Sequence, residues 1–173
     1  MSRITRIAVF FLISGGLAAL IIYLSAFRVY RFNTSNMEPT IFKGDICVVD
    51  TKAYVDSQPA RWDIVTYLSD RKSISCSRIV GLPGEILNLD EKGLTINEIL
   101  SQNPGGLKSL YKRPKLFSET EIKAYKILQV KFPYVIPAGF FFLIGDNVEH
   151  SRDSRYIGAI ARSQIRGKIV KIL

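Results

Sequence analysis

An uncharged apolar run near the N-terminus constrains this chain more than any other feature of its sequence. Residues Ile7 to Leu24 read IAVFFLISGGLAALIIYL and contain no charged side chain. As an α-helix, this run would span roughly 27 Å, which is close to the thickness of a bilayer's hydrocarbon core. The run predicts a single transmembrane helix, with residues 1–27 as the tip and anchor and residues 28–173 as a separate domain.

A cleaved secretion signal is the alternative reading of the same run. The run is longer than a usual signal-peptide core, and Leu24-Ser25-Ala26 is a poor small-x-small cleavage site. Arg3 and Arg6 precede the run, whereas Arg28 and Arg31 follow it. Because the flanking charges nearly balance, the positive-inside rule favours a cytoplasmic amino terminus only slightly.

The overall charge of the chain points to anionic partners. Lys and Arg number 24 against 15 Asp and Glu, a formal net charge of +9. No helix-turn-helix pattern, zinc spacing or aromatic-basic platform favours nucleic acid, so membrane lipids are the predicted anionic partner. The basic stretch from Ser101 to Lys131 is either an ordinary solvated face or a contact with lipid headgroups.

The sequence predicts no cofactor and no metal, because its cysteines fit no metal-binding pattern. Cys47 and Cys76 are the only two cysteines. They could form a disulfide in an oxidising compartment, or they could be two small buried apolar residues.

Beyond the apolar run, short β-branched segments separated by turn residues predict a mainly β domain, partly closed or sandwiched. A capping-box-like start predicts one helix, from Ser118 to Val130. The predicted strands are Asp45 to Asp50, Asp63 to Leu68, Ile74 to Val80, Glu85 to Leu89, Gly93 to Asn97, Gly139 to Gly145 and Gly167 to Leu173.

Three separated stretches resemble the type I signal peptidases, a family of membrane-anchored endopeptidases with a serine–lysine pair. They are TSNMEPTIFKGD (Thr34 to Asp45), SRIVGLPGE (Ser77 to Glu85) and GDNVEHSRDSR (Gly145 to Arg155). The family typically shows Ser-Met-x-Pro-Thr followed by Gly-Asp, then Lys-Arg before Val-Gly-x-Pro-Gly, then a Gly-Asp-Asn block ending in Ser-x-Asp-Ser-Arg. The resemblance implies a signal-peptidase-like β domain following one N-terminal transmembrane helix.

Both members of the family's catalytic pair are replaced at the matching positions. The nucleophile position falls on Asn36, directly before Met37, and the general-base position falls on Ser77, directly before Arg78. An amide has no nucleophilic hydroxyl, and a serine cannot replace an amine base. Such a lysine must also be buried, since burial keeps its amine neutral.

The residues around that pair match the family better. Thr34 matches the hydroxyl donor on the oxyanion side, and Ser151 matches the residue that hydrogen-bonds the lysine in active relatives. Asp153 and Arg155 match an acid–base pair that braces the site. Met37, Pro39 and Arg78 complete the supporting residues, and the predicted substrate cleft is lined by Ile41, Ile64 and Val65.

Neighbouring groups are weak substitutes for the missing pair. Ser35 and Cys76 are adjacent to the two positions, but successive side chains of a strand point to opposite faces. Lys43 and Lys72 have no spacing that would make either a displaced base. His150 lies in the third stretch, whereas relatives that use histidine place it at the lysine position.

The sequence therefore predicts a signal peptidase family member without catalysis, a pseudoenzyme that binds peptides or assists secretion or pilus assembly. The alternative is an active signal peptidase, a serine-type endopeptidase that cleaves signal peptides after small residues with an unrecognised pair. The resemblance implies a single-pass protein of the cytoplasmic membrane whose C-terminal domain is extracytoplasmic, where the family's signal-peptide clients emerge.

Overall fold

The computed structural model of the chain describes residues 15–16, 25–70, 72–90, 93–100 and 130–173. These residues form antiparallel strands with one short helix, α1 (Ser154–Ile157), and one 3-10 turn (Arg162–Gln164). The strands are β1 (Phe27–Arg31), β2 (Ile46–Asp50), β3 (Ile64–Leu68), β4 (Ile74–Gly81), β5 (Ile86–Asp90), β6 (Gly93–Ile96), β7 (Ile99–Leu100), β8 (Tyr134–Val135), β9 (Phe140–Ile144), β10 (Ile160–Ala161) and β11 (Ile165–Ile172).

The strands build two sheets. The larger sheet has the order β1-β2-β11-β3-β4-β9-β10, and the smaller one has the order β7-β6-β5-β8. The C-terminal strand β11 lies between β2 and β3, so the end of the chain closes the middle of the larger sheet. The mainly β prediction is confirmed.

All seven predicted strands are present, with their ends shifted by one or two residues. Four strands were missed by the sequence analysis. Of these, β7, β8 and β10 are two residues long, which is too short for an alternating pattern to be recognised. The predicted helix from Ser118 lies outside the described residues except Val130, which is not helical.

The predicted membrane span also lies outside the described residues, apart from Gly15 and Gly16. Among the helices that the structure does describe, none combines the length and apolar character needed to cross a membrane.

Three apolar clusters hold the strands together. The first joins the sheets, because Leu87 and Leu89 of β5 pack with Val80 of β4 and Phe142 of β9. The second contains Val65, Tyr67, Ile79 and Leu143, and it lies on one side of β3 and β4. The third contains Met37, Ile41, Cys47, Val49 and Cys76. Each fully buried aliphatic side chain contributes about 1.5–3 kcal/mol of hydrophobic stabilisation.

The loop between β1 and β2 is fixed in place by this third cluster. Its two ends are joined by hydrogen bonds from the Gly44 N–H to the Phe32 carbonyl and from the Phe32 N–H to the Asp45 carbonyl. Gly44 has φ of +99°, a conformation that glycine adopts without steric cost. Met37 and Ile41, each 1% exposed, anchor the middle of the loop in the core. The loop therefore presents its remaining residues in a defined conformation.

Candidate functional site

Asn36 lies in the loop between β1 and β2, and both ends of its amide are engaged within the protein. Its Oδ1 accepts a hydrogen bond from the Thr34 hydroxyl at 2.5 Å. Its Nδ2 donates to the main-chain carbonyl of Cys76 on β4 at 2.6 Å. The amide therefore ties the loop to β4. The Asn36 side chain is an amide and carries no hydroxyl.

Ser77 lies on β4 with only 1% of its surface exposed. Its hydroxyl donates to the same Cys76 carbonyl at 2.7 Å, and the Tyr67 hydroxyl lies 3.5 Å from its Oγ. The structure thus brings Asn36 and Ser77, which are far apart in sequence, together at one carbonyl oxygen.

Ser151 follows β9, and its hydroxyl lies close to Gly145, as does the Asn36 carbonyl. A side chain at Gly145 would lie 2.2 Å from the Ser151 Oγ and 2.5 Å from the Asn36 carbonyl oxygen, so only glycine fits between them. The Ser151 Oγ is buried and has no hydrogen-bond partner among the described residues. An unsatisfied buried hydroxyl costs about 1–3 kcal/mol. Among the described residues, the Ser151 hydroxyl is therefore an unpaired buried polar group beside Gly145.

Asp153 and Arg155 form a buried ion pair behind this hydroxyl. The Arg155 Nη2 lies 2.7 Å from the Asp153 Oδ2, and both side chains are fully buried. Asp153 also accepts a hydrogen bond from the Gly145 N–H at 2.9 Å and caps α1 through the Arg155 N–H. Burial lowers the pKa of Arg155, but the Asp153 charge and hydrogen bonds outweigh this effect, so the net shift is upward. The pair fixes Gly145, and with it the approach of Ser151 to Asn36.

A second ion pair, between Arg78 and Asp146, braces the opposite side of the site. The Arg78 Nε and Nη2 donate to the two Asp146 carboxylate oxygens, and Nη1 donates to the Trp62 carbonyl. The Thr40 hydroxyl donates to the same carboxylate. Asp146 and Thr40 were not singled out from the sequence, although both lie inside the recognised motifs. The signal that could have found Asp146 is its place in one motif, since an acid there could pair with Arg78 of another motif.

The two remaining predicted supporting residues, Met37 and Pro39, differ in their exposure to solvent. Met37 is buried in the third cluster, and Pro39 is exposed after a cis peptide bond from Glu38.

The Asn147 N–H donates to the Asn36 carbonyl at 3.0 Å, and its Nδ2 donates to the Ser35 carbonyl at 2.9 Å. Asn147, which the sequence analysis did not assign, therefore fixes the main chain on both sides of the Ser35–Asn36 bond.

The predicted cleft residues need correction. Ile41 and Val65 are 1% and 0% exposed, and each lies inside an apolar cluster. Ile64 is partly buried and packs against the third cluster. These side chains were predicted as cleft lining because they are apolar and near the motifs. The direction of the two β3 side chains depends on strand register, and Ile41 is held in the core by the conformation of the loop between β1 and β2; the sequence motif specifies neither.

A cavity of about 460 Å³ opens beside Asn36. Its two sides come from the end of β1 and the loop after it, and from the region around the start of β4. Its apolar lining comprises Phe32, Tyr67, Ile74 and Ile157. Thr34 and Ser75 contribute hydroxyls to the wall, and Asn36 lies at one end. Its lining includes residues from the end of β1 and the start of β4, and strand main chain of this kind can pair with an extended peptide.

The Ser77 hydroxyl contacts the Tyr67 hydroxyl and the Cys76 carbonyl, and it is not hydrogen-bonded to a neighbouring thiol, imidazole or amine of the described residues. Burial, Cys47 and Asp146 raise the pKa of the Cys76 thiol to about 12, so it is protonated at neutral pH. The exposed His150 directs Nδ1 to the Asn147 Oδ1 at 3.2 Å, not to a serine. Lys43 and Lys72 are exposed. The Thr34, Thr40 and Ser77 hydroxyls donate to Asn36, Asp146 and the Cys76 carbonyl, respectively, and not to a lysine or histidine side chain.

The two cysteines are free and buried in the same cluster, as the second of the two sequence interpretations expects. A search of the described part of the chain finds no group of three or more His, Cys, Asp or Glu side chains able to hold a metal.

Comparison with known proteins places these features in one family. A profile described as "Signal peptidase, peptidase S26" matches residues 4–173. Signal peptidase I of Bacillus licheniformis is 31% identical over 152 residues, which cover 86% of this chain and 77% of that protein. Signal peptidase I of Bacillus caldolyticus is 29% identical over 149 residues, covering 84% and 79%. Signal peptidase I of Pseudomonas aeruginosa is 31% identical over 166 residues, covering 79% of this chain and 58% of that protein.

A solved structure shows the same similarity in three dimensions. The crystal structure of a signal peptidase I from Enterococcus faecalis V583 has a TM-score of 0.51 and 27% sequence identity. The match covers 66% of this chain and 98% of that one.

Proposed function

The chain belongs to the type I signal peptidase family, and from that premise we propose that it is a non-catalytic member that binds extended peptides. The occupants would be signal-peptide segments of secreted proteins, held in the cavity beside Asn36. Binding would serve secretion or the assembly of surface structures such as pili. No cofactor takes part in this proposal.

The observation that carries the proposal is the hydrogen bonding of the Asn36 amide. Serine peptidases need a hydroxyl whose proton passes to a nearby base as it attacks. Here, the group at that position donates to the Cys76 carbonyl and accepts from Thr34. The Ser77 hydroxyl at the base position also donates to that carbonyl, and a hydroxyl is no proton acceptor at neutral pH. Neither the attack on the peptide carbonyl nor the removal of the proton has a side chain to perform it.

Peptide binding needs neither a nucleophile nor a general base. An extended peptide is held by main-chain hydrogen bonds to a neighbouring strand and by pockets for alternate side chains. The cavity beside Asn36 supplies both a strand edge and an apolar lining. Small residues two apart, as in Ala-x-Ala, would enter the same side of the cavity.

We further propose that Ile7–Leu24 anchors the protein in the cytoplasmic membrane, with residues 28–173 outside the cytoplasm. Protease added to intact spheroplasts should then digest the C-terminal domain and leave only a short protected fragment. A domain that stays protected until the membrane is broken would reverse the proposed orientation. Because the charges that flank the run are nearly equal, the positive-inside rule does not decide the orientation, and the experiment does.

Peptide binding is testable with the intact chain in detergent. We expect a labelled Ala-x-Ala peptide to bind with a dissociation constant of about 1 µM to 1 mM, and a Phe-x-Phe peptide to bind at least about tenfold more weakly. Asn33 is exposed and lines the cavity, so Asn33→Trp should fill it and weaken Ala-x-Ala binding by about tenfold or more.

Gln58→Trp is the matched control, because Gln58 is also an exposed amide but lines a separate cavity beside Tyr54 and Arg162. It should leave binding unchanged, and circular dichroism should show both variants folded. Equal binding of the two peptides, or equal effects of the two tryptophans, would remove the support for this cavity as the peptide site.

A further inference from the structure

The charge of the cavity beside Asn36 distinguishes it from a simple slot for small apolar residues. Among the described residues, three basic side chains line it, namely Arg31, His150 and Arg152, against one acidic side chain, Asp70. The Arg152 Nη2 lies 2.8 Å from the Asp70 Oδ2, so the acid neutralises one of the two arginines. With His150 counted as neutral, this described part of the lining retains one net positive charge.

That remaining charge belongs to Arg31, the last residue of β1. Its side chain makes no hydrogen bond or ion pair with any other residue that the structure describes. Arg28, three residues earlier on the same strand, donates to the Ser25 and Phe27 carbonyls and does not line the cavity. The two exposed arginines of this strand therefore differ both in their hydrogen-bond partners and in whether they line the cavity.

Arg152 carries a second unused donor. Its Nε is buried and has no hydrogen-bond partner in the described parts of the chain, although its Nη2 is paired with Asp70. A buried donor on a charged group is costly to leave unsatisfied, and a carboxylate is its strongest partner. Arg31 is therefore an unpaired cation, and Arg152 a partly paired one, at a cavity whose described lining also carries apolar and hydroxyl groups; a carboxylate would pair with both arginines.

We infer that this cavity selects peptides that carry a carboxylate, recognised by Arg31 and Arg152. The carboxylate comes from an aspartate or glutamate side chain or from the free C-terminus of a peptide that has already been cleaved. The inference rests on the proposed peptide-binding function and deepens it. It adds a charge requirement to the small-residue preference.

The test uses the intact chain in a zwitterionic detergent and four labelled peptides with one Ala-x-Ala segment. Two peptides have an amidated C-terminus and carry either Glu or Gln beside the segment. The other two end directly after the segment and differ only in a free or amidated C-terminus. Fluorescence anisotropy gives the four dissociation constants.

We expect one of the two carboxylate peptides to bind about tenfold more tightly than its uncharged partner, because charge-assisted hydrogen bonds are the stronger kind. The pair that shows the preference identifies the source of the carboxylate. Arg31→Gln should reduce that ratio towards one by weakening the binding of the carboxylate peptide. Arg28→Gln, which removes the same charge from the same strand, should leave the ratio intact. Raising the salt concentration should lower the ratio, since exposed charges are screened.

The outcomes separate this inference from the function on which it rests. If all four peptides bind with equal affinity, the cavity holds peptides and the charge requirement is wrong. If Arg28→Gln lowers the ratio as much as Arg31→Gln does, the preference comes from net charge and the assignment to this cavity is wrong. If none of the four binds, the peptide-binding function itself fails.

Discussion

The double variant Asn36→Ser/Ser77→Lys should cleave an Ala-x-Ala signal peptide at least about 10²-fold faster than Asn36→Ser alone. A general base contributes about 10²–10⁴ to such a rate, and the single variant supplies a hydroxyl without one. The surroundings favour rescue, because the Ser151 hydroxyl is buried and free to accept a hydrogen bond from an amine. The two positions already meet at the Cys76 carbonyl.

The buried position of Ser77 is what would lower the pKa of the new lysine. Ser77 is 1% exposed and lies beside Tyr67, so a lysine amine there would be desolvated and tend to be neutral. Ser77→Lys alone, which keeps Asn36, is the matched control and should remain inactive. Cleavage by Asn36→Ser at the rate of the double variant would mean that another base is present and that the account of the site is incomplete.

Removing the acid of the buried ion pair should destabilise the fold strongly. Asp153→Asn preserves shape but leaves the fully buried Arg155 without its counter-charge. Breaking a buried pair from one side costs about 3–5 kcal/mol. The Gly145 N–H would also face a weaker acceptor. Urea unfolding of the intact chain in detergent, followed by tryptophan fluorescence, should show the midpoint falling with little change in slope.

Asp70→Asn is the control for that experiment. It removes the same charge, but its partner Arg152 and Asp70 itself are 25% and 43% exposed. Exposed ion pairs contribute about 1 kcal/mol or less, so this variant should unfold almost as the unaltered protein does. Equal losses from the two variants would show that net charge, not burial, determines the effect.

Most strands of four or more residues were predictable from the sequence, but the five-residue β1 was not, because Arg28 and Arg31 interrupt its apolar residues. The strand at Ile74–Gly81 and the one at Ile165–Ile172 are both eight residues long, and each was recognised with its ends nearly correct. The two-residue strands were missed, because pairing there depends on neighbours brought close by the rest of the fold. The order of the larger sheet, with the last strand between β2 and β3, also depends on distant contacts.

The site was predictable where it depends on side-chain identity, and not where it depends on main-chain atoms. Asn36 and Ser77 were singled out from motifs, but the carbonyl of Cys76 that joins them has no signature in the sequence. The cleft was misassigned to Ile41 and Val65, because an apolar residue beside a motif can face either the core or the groove. For Val65 in β3, strand register decides whether the side chain faces the core, and long-range strand pairing fixes that register.

The most direct test of the central claim is a cleavage assay with the intact, unaltered protein in detergent. A signal-peptide substrate with an Ala-x-Ala end should be incubated at a concentration that binding measurements show to occupy the protein, and the products identified by mass spectrometry. For a non-catalytic protein we expect bound but uncut peptide, with no product above the protein-free control. Specific cleavage after the second alanine, lost in Ser35→Ala or Ser77→Ala, would contradict it and establish an active peptidase with an unrecognised catalytic pair.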